Sequence, residues 1–226
     1  EQGCFAVIIG TNGSGKSTLL NTIAGTLTPD TGKIFIKQRD VTAWPEHRRA
    51  SLIGRVFQNP FSGTAAHLTV AENLALASDR GLRRGLGIAV NSTKKRLFRE
   101  RLRELNLGME DRLDSEIGLL SGGQRQAITL LMATWRRPEL LLLDEHTAAL
   151  DPKTAEQVVL LTQRIVESQG LTALMVTHSM QQAVNLGNRL IMMHHGEIAL
   201  DAGEMEKKLL RADTLLGKFQ ELRRAD

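Results

Sequence analysis

Cysteine, tyrosine, proline and long apolar runs are all scarce in this chain of 226 residues, and each scarcity excludes something. The one cysteine, Cys4, cannot form an internal disulfide, so the fold is not stapled and a reducing, cytoplasmic setting is expected. No apolar run approaches the roughly 18 residues of a membrane span, so any membrane role calls for a partner chain. No N-terminal stretch of this sequence pairs a basic segment with a long apolar core and a small-residue cleavage site. Aromatic residues are limited to six Phe and two Trp, with no Tyr, a poor set for stacking bases along a nucleic acid strand. What is present is ordinary for a folded protein: 42% hydrophobic and 24% charged residues, enough to bury a core in one large α/β domain or two small ones.

The net charge of +4 conceals an asymmetry. Residues 80 to 103 carry nine Lys or Arg against the single acid Glu100, a local balance of +8 that leaves about −4 elsewhere. Such a stretch serves either as a solvated helix face, the commoner outcome, or as a contact for an anionic surface.

Hydrophobic patterning alternates between strand and helix. CFAVIIG predicts a buried strand that runs into the glycine-rich GTNGSG, and KSTLLNTIAG predicts a helix closed by Gly25. GKIFIK and LIGRVF predict strands, the second leading to Gln58. From residue 59 to 137 the pattern is helical: TVAENLALA, the basic KKRLFRERLREL, and an apolar segment that begins at SGGQ and stops before Pro138. ELLLLD resumes the strands, Asp151-Pro152 caps a helix ending near Gly170, and LTALMVT is another buried strand. RLIMMHHGEIAL suggests a final strand or a hairpin around a His-Gly turn, and the tail from Glu204 has helical spacing. The reading is an α/β chain with a mostly parallel sheet and a small antiparallel part. Its core spans residues 1–58 and 138–226, and a helical subdomain is inserted at 59–137.

Three segments carry chemistry. Gly10 to Ser17 spell G-x-x-x-x-G-K-S between a strand and a helix, where backbone N–H groups and the helix N-terminus wrap a polyphosphate. Asn12, Gly13, Ser14, Gly15, Lys16, Ser17 and Thr18 form the expected cradle. Gly13 and Gly15 admit the phosphates, Lys16 reaches the β- and γ-phosphate oxygens, and the Ser17 hydroxyl is suited to Mg²⁺. A dinucleotide fingerprint does not fit, because Lys16-Ser17 is wrong for it. LLLLDE delivers Asp144 and Glu145 at a strand end, Asp144 suited to the metal and Glu145 to orienting or deprotonating water. LMVTH places His178 at a further strand end, suited to a γ-phosphate oxygen. Ser121-Gly122-Gly123 at the start of a helix is hard to explain by packing.

LLSGGQRQA, residues 119–127, resembles the signature sequence of ATP-binding-cassette ATPases. The other motifs follow in the family's order: Gly10–Thr18 as Walker A, Gln58 as the Q-loop glutamine, Leu140–Asp144 as Walker B, then Glu145, the AALD ending at Asp151, and His178 as the switch histidine. The resemblance implies a P-loop nucleotide-hydrolase fold and a head-to-tail dimer, with a second copy or a homologous subunit. Each ATP then lies between Walker A of one chain and Ser121, Gly122, Gly123 and Gln124 of the other. It implies ATP and Mg²⁺ as ligands, the metal held by Ser17, Gln58 and Asp144. Glu145, His178 and Gln58 act in catalysis, and Asp151 lies near the nucleotide. It implies, too, the separate ATPase subunit of a bacterial importer, peripheral on the cytoplasmic face of the inner membrane. An integral permease and, indirectly, a solute-binding protein complete that assembly, with no nucleic acid. HLTVAEN and the helix at 93–105 are expected on the face that receives the permease. The subgroup resembles amino-acid-type uptake ATPases. The alternative is a soluble cassette ATPase acting on nucleic acid or ribosomes.

Some positions depart from the family's habit. His146 stands where Pro or a small residue is usual; a tolerated loop substitution is favoured over a pH-sensitive contact near the nucleotide. His194 and His195 are expected on alternate faces of a strand and are not read as a metal site. The family stacks adenine on an aromatic side chain well before Walker A, yet only nine residues precede Gly10 and Phe5 lies inside the strand. The expectation is an N-terminally truncated cassette with an exposed sheet edge and weakened ATP affinity.

Overall fold

The computed structural model describes residues 2–82 and 88–224; Arg83 and Arg84 of the basic stretch lie outside the described residues. Strand β1 (Phe5–Gly10) leads through the glycine loop into α1 (Lys16–Ala24). A small antiparallel pair follows, β2 (Phe35–Ile36) with β3 (Arg39–Asp40), then α2 (Glu46–Arg49) and β4 (Ile53–Val56). Helices α3 (Val70–Ser78), α4 (Ser92–Arg103) and α5 (Gly122–Thr134) occupy the interval before β5 (Leu140–Asp144). Then come α6 (Pro152–Gln169), β6 (Ala173–Val176), α7 (Met180–Asn185), β7 (Arg189–His194), β8 (Glu197–Ala202), α8 (Glu204–Lys207) and α9 (Ala212–Arg224).

The main sheet has the order β4-β5-β6-β1-β7-β8, parallel throughout except for the β7–β8 hairpin. Parallel strands with helices on both faces must be apolar on both sides, which is why they read as continuous hydrophobic runs. All six residues of β1 are buried. Their alternation divides the core: Val7 and Ile9 join Leu141, Leu143 and Met175 against Ile128 of α5 and Leu161 of α6. Ile8, Leu142 and Val176 face the other way, onto Leu20 and Ala24 of α1.

Several elements differ from the sequence reading for local reasons. GKIFIK shortens to a two-residue strand, because Lys37 and Gln38 take positive φ (45° and 61°) and turn the chain into β3 without a glycine. RLIMMHHGEIAL is a hairpin, and His195 (φ 47°) leaves the strand at its turn. The rings of His194 and His195 therefore meet edge to face at 4.3 Å rather than facing apart. The helical spacing of the tail resolves into two helices, α8 and α9. The basic α4 is answered within the chain: Lys94 pairs with Asp79 and Lys95 with Asp114, the arrangement of a solvated face.

Helix α1 is held from below by Arg49, only 1% exposed. Its guanidinium donates to the Thr22 and Ile23 carbonyls at the C-terminal end of α1 and to those of Trp44 and Thr42, with no acid nearby among its hydrogen bonds. Carbonyls at a helix C-terminus are a natural seat for a cation. Gly25, at φ 88°, leaves room for it, since a Cβ there would sit 2.9 Å from Nε. Replacing Arg49 by Ala strands four carbonyls and is expected to lower stability by about 3 kcal/mol in urea unfolding, with the slope of the transition unchanged.

Candidate nucleotide-hydrolysis site

Because β1, β5 and β6 are parallel and in register, their carboxyl ends open onto one edge. Ile8 and Asp144 both pair with Val176, so the glycine loop, the two acids and the switch histidine emerge at one level. Gly10 can only be glycine, since a Cβ would lie 2.4 Å from the Met193 carbonyl oxygen. Gly13 and Gly15 sit at φ 80° and 94°, turning the loop into α1. Gly15 is the N-cap and offers no side chain to the first-turn N–H groups, the arrangement that suits an anion. The hairpin turn braces the loop from behind, Gly196 N donating to the Ser14 carbonyl at 3.2 Å. The Ser14 hydroxyl is buried without a partner in the structure.

Lys16 donates through Nζ to the Gly10 and Thr11 carbonyls at 3.0 and 2.9 Å, folded back over its own loop. Burial pulls its pKa below the usual lysine value, while the charges of Glu145 and Asp144 pull it back up. A cleft of about 300 Å³ runs along residues 12–18 with Glu145 and His178 on its wall. Glu145 Oε1 lies 2.6 Å from His178 Nε2. Glu145 holds a left-handed backbone (φ 44°), which costs of order 1 kcal/mol for a residue with a side chain. Its N–H donates to the Val176 carbonyl. The neighbouring loop is tied in by Gln182, which accepts from the Thr177 hydroxyl at 2.6 Å and reaches the Thr147 hydroxyl at 3.5 Å.

The remaining expected residues lie apart from this cleft. Asp144 is beside it, 3.6 Å from the Arg55 guanidinium. Gln58 is exposed in the turn after β4, outside the cleft lining. Asp151 caps α6 by accepting from Thr154 N at 3.1 Å, and its carboxyl pKa is lowered by the Thr154 side chain first and by that backbone N–H second. Ser121 caps α5 in a reciprocal pair with Gln124. The signature residues Ser121, Gly123 and Gln124 line a separate groove of about 490 Å³ beside α6. Gly123 does have a packing reason, contrary to the sequence reading: a Cβ there would meet Thr154 Cγ2 at 2.0 Å, whereas one on Gly122 would meet only the flexible end of Leu150, at 3.2 Å.

Sequence reasoning passed over two basic residues. Arg125 donates to the Ile117, Gly118 and Leu120 carbonyls, stacks over Phe61 at 3.6 Å, and so joins the signature to the turn after Gln58. Arg55 is the second; a charge inside the apolar run LIGRVF was the available signal. His146 is 1% exposed and outside the cleft lining. Thr162 gives its proton to the Val158 carbonyl, so His146 donates to it through Nε2–H at 2.9 Å.

A strand, a glycine loop and an uncapped helix facing two carboxylates and a histidine define a P-loop nucleotide hydrolase. The sequence profile of the family described as "ABC transporter" matches residues 1–148, and the chain belongs to that family. A tyrosine transport ATP-binding protein of Clostridioides difficile (strain R20291) is 44% identical over 97% of this chain and 87% of its own length. The thiamine import ATP-binding protein ThiQ of Escherichia coli (strain K12) is 35% identical over 96% of this chain and 89% of its own. Among solved structures, a dimeric ATP-binding cassette in a post-hydrolysis state with ADP and Pi superposes with a TM-score of 0.76 at 30% identity, covering 90% of this chain and 87% of the other. The chain is thus an ABC ATPase, the ATP-binding subunit of a transporter. No helix among the described residues is long and apolar enough to cross a membrane.

Burial pushes the His146 pKa down to about 4, well below its ordinary value near 6.5. Its neutral form is the native one, so its contribution to stability is complete above pH 6.5 and is lost as pH falls toward 4, where the unfolded chain takes up the proton first. The parent is expected to lose about 3 kcal/mol more than His146→Leu between pH 7 and pH 4, read as the difference between the two unfolding free energies.

Proposed function

We infer that this chain is the ATP-hydrolysing subunit of an importer, working as a head-to-tail pair with a second copy or a homologous subunit. The observation that carries the reading is the 2.6 Å contact between Glu145 and His178 on the wall of the phosphate cleft. A γ-phosphate in that cleft meets the loop N–H groups and Lys16. Glu145 orients or deprotonates the attacking water, and His178 holds Glu145 and faces the phosphate. Asn12 to Thr18 bind the nucleotide. Ser121, Gly122, Gly123 and Gln124, which open on a different groove in the same chain, serve the partner's nucleotide, with Asp151 at the seam. Their capped helix start offers N–H groups and a hydroxyl to an anion arriving from outside.

The oxygen donors Ser17, Asp144 and Gln58 suit a hard cation, and we assign Mg²⁺ to them; when bound it neutralises phosphate charge. Residues 59–137 act as a helical body hinged on the core at Gln58. Phe61, half exposed over Arg125, and α3 lie on the face offered to a permease. Through that permease the chain sits on the cytoplasmic side of the membrane, with a solute-binding protein delivering the cargo. The tyrosine transport relative favours an amino-acid-type solute.

Glu145→Gln is expected to bind ATP normally, to turn over at least about a hundredfold more slowly, and to accumulate as an ATP-dependent dimer in size-exclusion chromatography. Hydrolysis near the parent rate would refute the role of Glu145. Lys16→Ala is expected to weaken ATP binding itself by about tenfold or more, measured by calorimetry. Co-purification with an integral permease supports the transport reading, and stimulation of the ATPase by DNA or RNA alone contradicts it.

A further inference from the structure

Arg55 is the one residue of β4 whose charge has no counterpart in the hydrolytic scheme, and three contacts hold it at the site. Its Nη2 donates to Asn21 Oδ1 of α1 at 2.7 Å and lies 3.6 Å from Asp144 Oδ2. The guanidinium carbon stands 4.6 Å over the Phe57 ring. The pair is largely withdrawn from water, the Arg55 and Asp144 side chains being 14% and 17% exposed, and Arg55 Nε is buried without a hydrogen-bond partner. Such a pair is not the weak surface kind, because solvent screens it less.

The charges around the cleft explain what it does. Two adjacent carboxylates stand here, Asp144 at the end of β5 and Glu145 just after it. Lys16 interacts electrostatically with both, His178 pairs with Glu145, and Arg55 supplies a cation to Asp144. Without Arg55, Asp144 would keep only the Lys16 ammonium, itself folded back onto the Gly10 and Thr11 carbonyls, as a cation in the nucleotide-free protein, and would draw in a free divalent cation more readily.

We propose that Arg55 is a positioning residue that serves as the resident counter-ion of Asp144. It holds the carboxylate toward the metal site while keeping that site closed to a free divalent ion until a nucleotide brings its own phosphate charge. The proposal rests on the assignment of Asp144 to the metal. It also ties three elements together at one guanidinium: the strand leading to Gln58, the strand ending in Asp144, and the helix behind the phosphate loop.

The test is a titration of nucleotide-free protein with Mn²⁺, the free ion being read by electron paramagnetic resonance. Arg55→Met, and Arg55→Gln as a second neutral variant, are expected to bind Mn²⁺ about fivefold or more tightly than the parent, and Arg55→Lys to behave like the parent. Circular dichroism melts confirm that each variant is folded. Adding Asp144→Asn to Arg55→Met is expected to abolish the gain. Parent-like Mn²⁺ affinity in the folded neutral variants overturns the counter-ion role, as does a gain that survives Asp144→Asn. Uptake of Mn²⁺ in the presence of ATP, compared between the parent and Asp144→Asn alone, tests the metal assignment separately, whatever Arg55 does.

Discussion

The parallel register of β1, β5 and β6 is the constraint on which the rest of the site depends. Val176 pairs with Ile8 on one side and with Asp144 on the other, so three chain segments far apart in sequence finish at one level. Each strand must be apolar on both faces to lie in the middle of this sheet, and polar residues are admitted only where it ends. The chemistry is therefore concentrated where the hydrophobic runs stop: Gly10, Asp144 and the Thr177-His178 pair. A one-residue slip of β6 against β5 would break the 2.6 Å contact of Glu145 with His178 while leaving every motif intact in the sequence.

Charge balance is the second layer. Burial works against the Lys16 ammonium, and the two carboxylates at the end of β5 favour it. Arg55 lies beside Asp144, and His178 Nε2 lies 2.6 Å from Glu145 Oε1. The nucleotide-free cleft thus gives each of these carboxylates a polar partner, and binding of a polyphosphate replaces one set of partners by another. The buried cations Arg49 and Arg125 follow a different rule, since both donate to backbone carbonyls rather than to acids and fix geometry. Arg49 holds the end of α1, and Arg125 joins the signature turn to Phe61.

Legibility in the sequence tracked how local each feature is. The glycine loop, the strand ends and the caps at Gly25, Asp151 and Gly170 were readable, because short-range chemistry determines them. The β2–β3 turn was not, since Lys37 and Gln38 adopt the left-handed region without the glycine that would announce it. The helical spacing of the tail was legible but its interruption was not, since the spacing continues across residues 208–211, where the helix does not. The packing reason for Gly123 depends on Thr154, thirty-one residues away, and the partner of Arg55 is eighty-nine residues away, so no local pattern betrays either. The environment of His146 was legible only as an unusual residue in a familiar loop; its burial against Thr162 came from the fold.

The most direct test of the account is a double-mutant cycle on ATP turnover across the Glu145–His178 contact. If the sheet register makes these two side chains a single working unit, Glu145→Gln, His178→Ala and the double variant all fall to kcat values within about threefold of one another. If the losses instead multiply, so that the double variant is slower than either single one by the full factor of the other, the two residues act independently and the central claim is wrong.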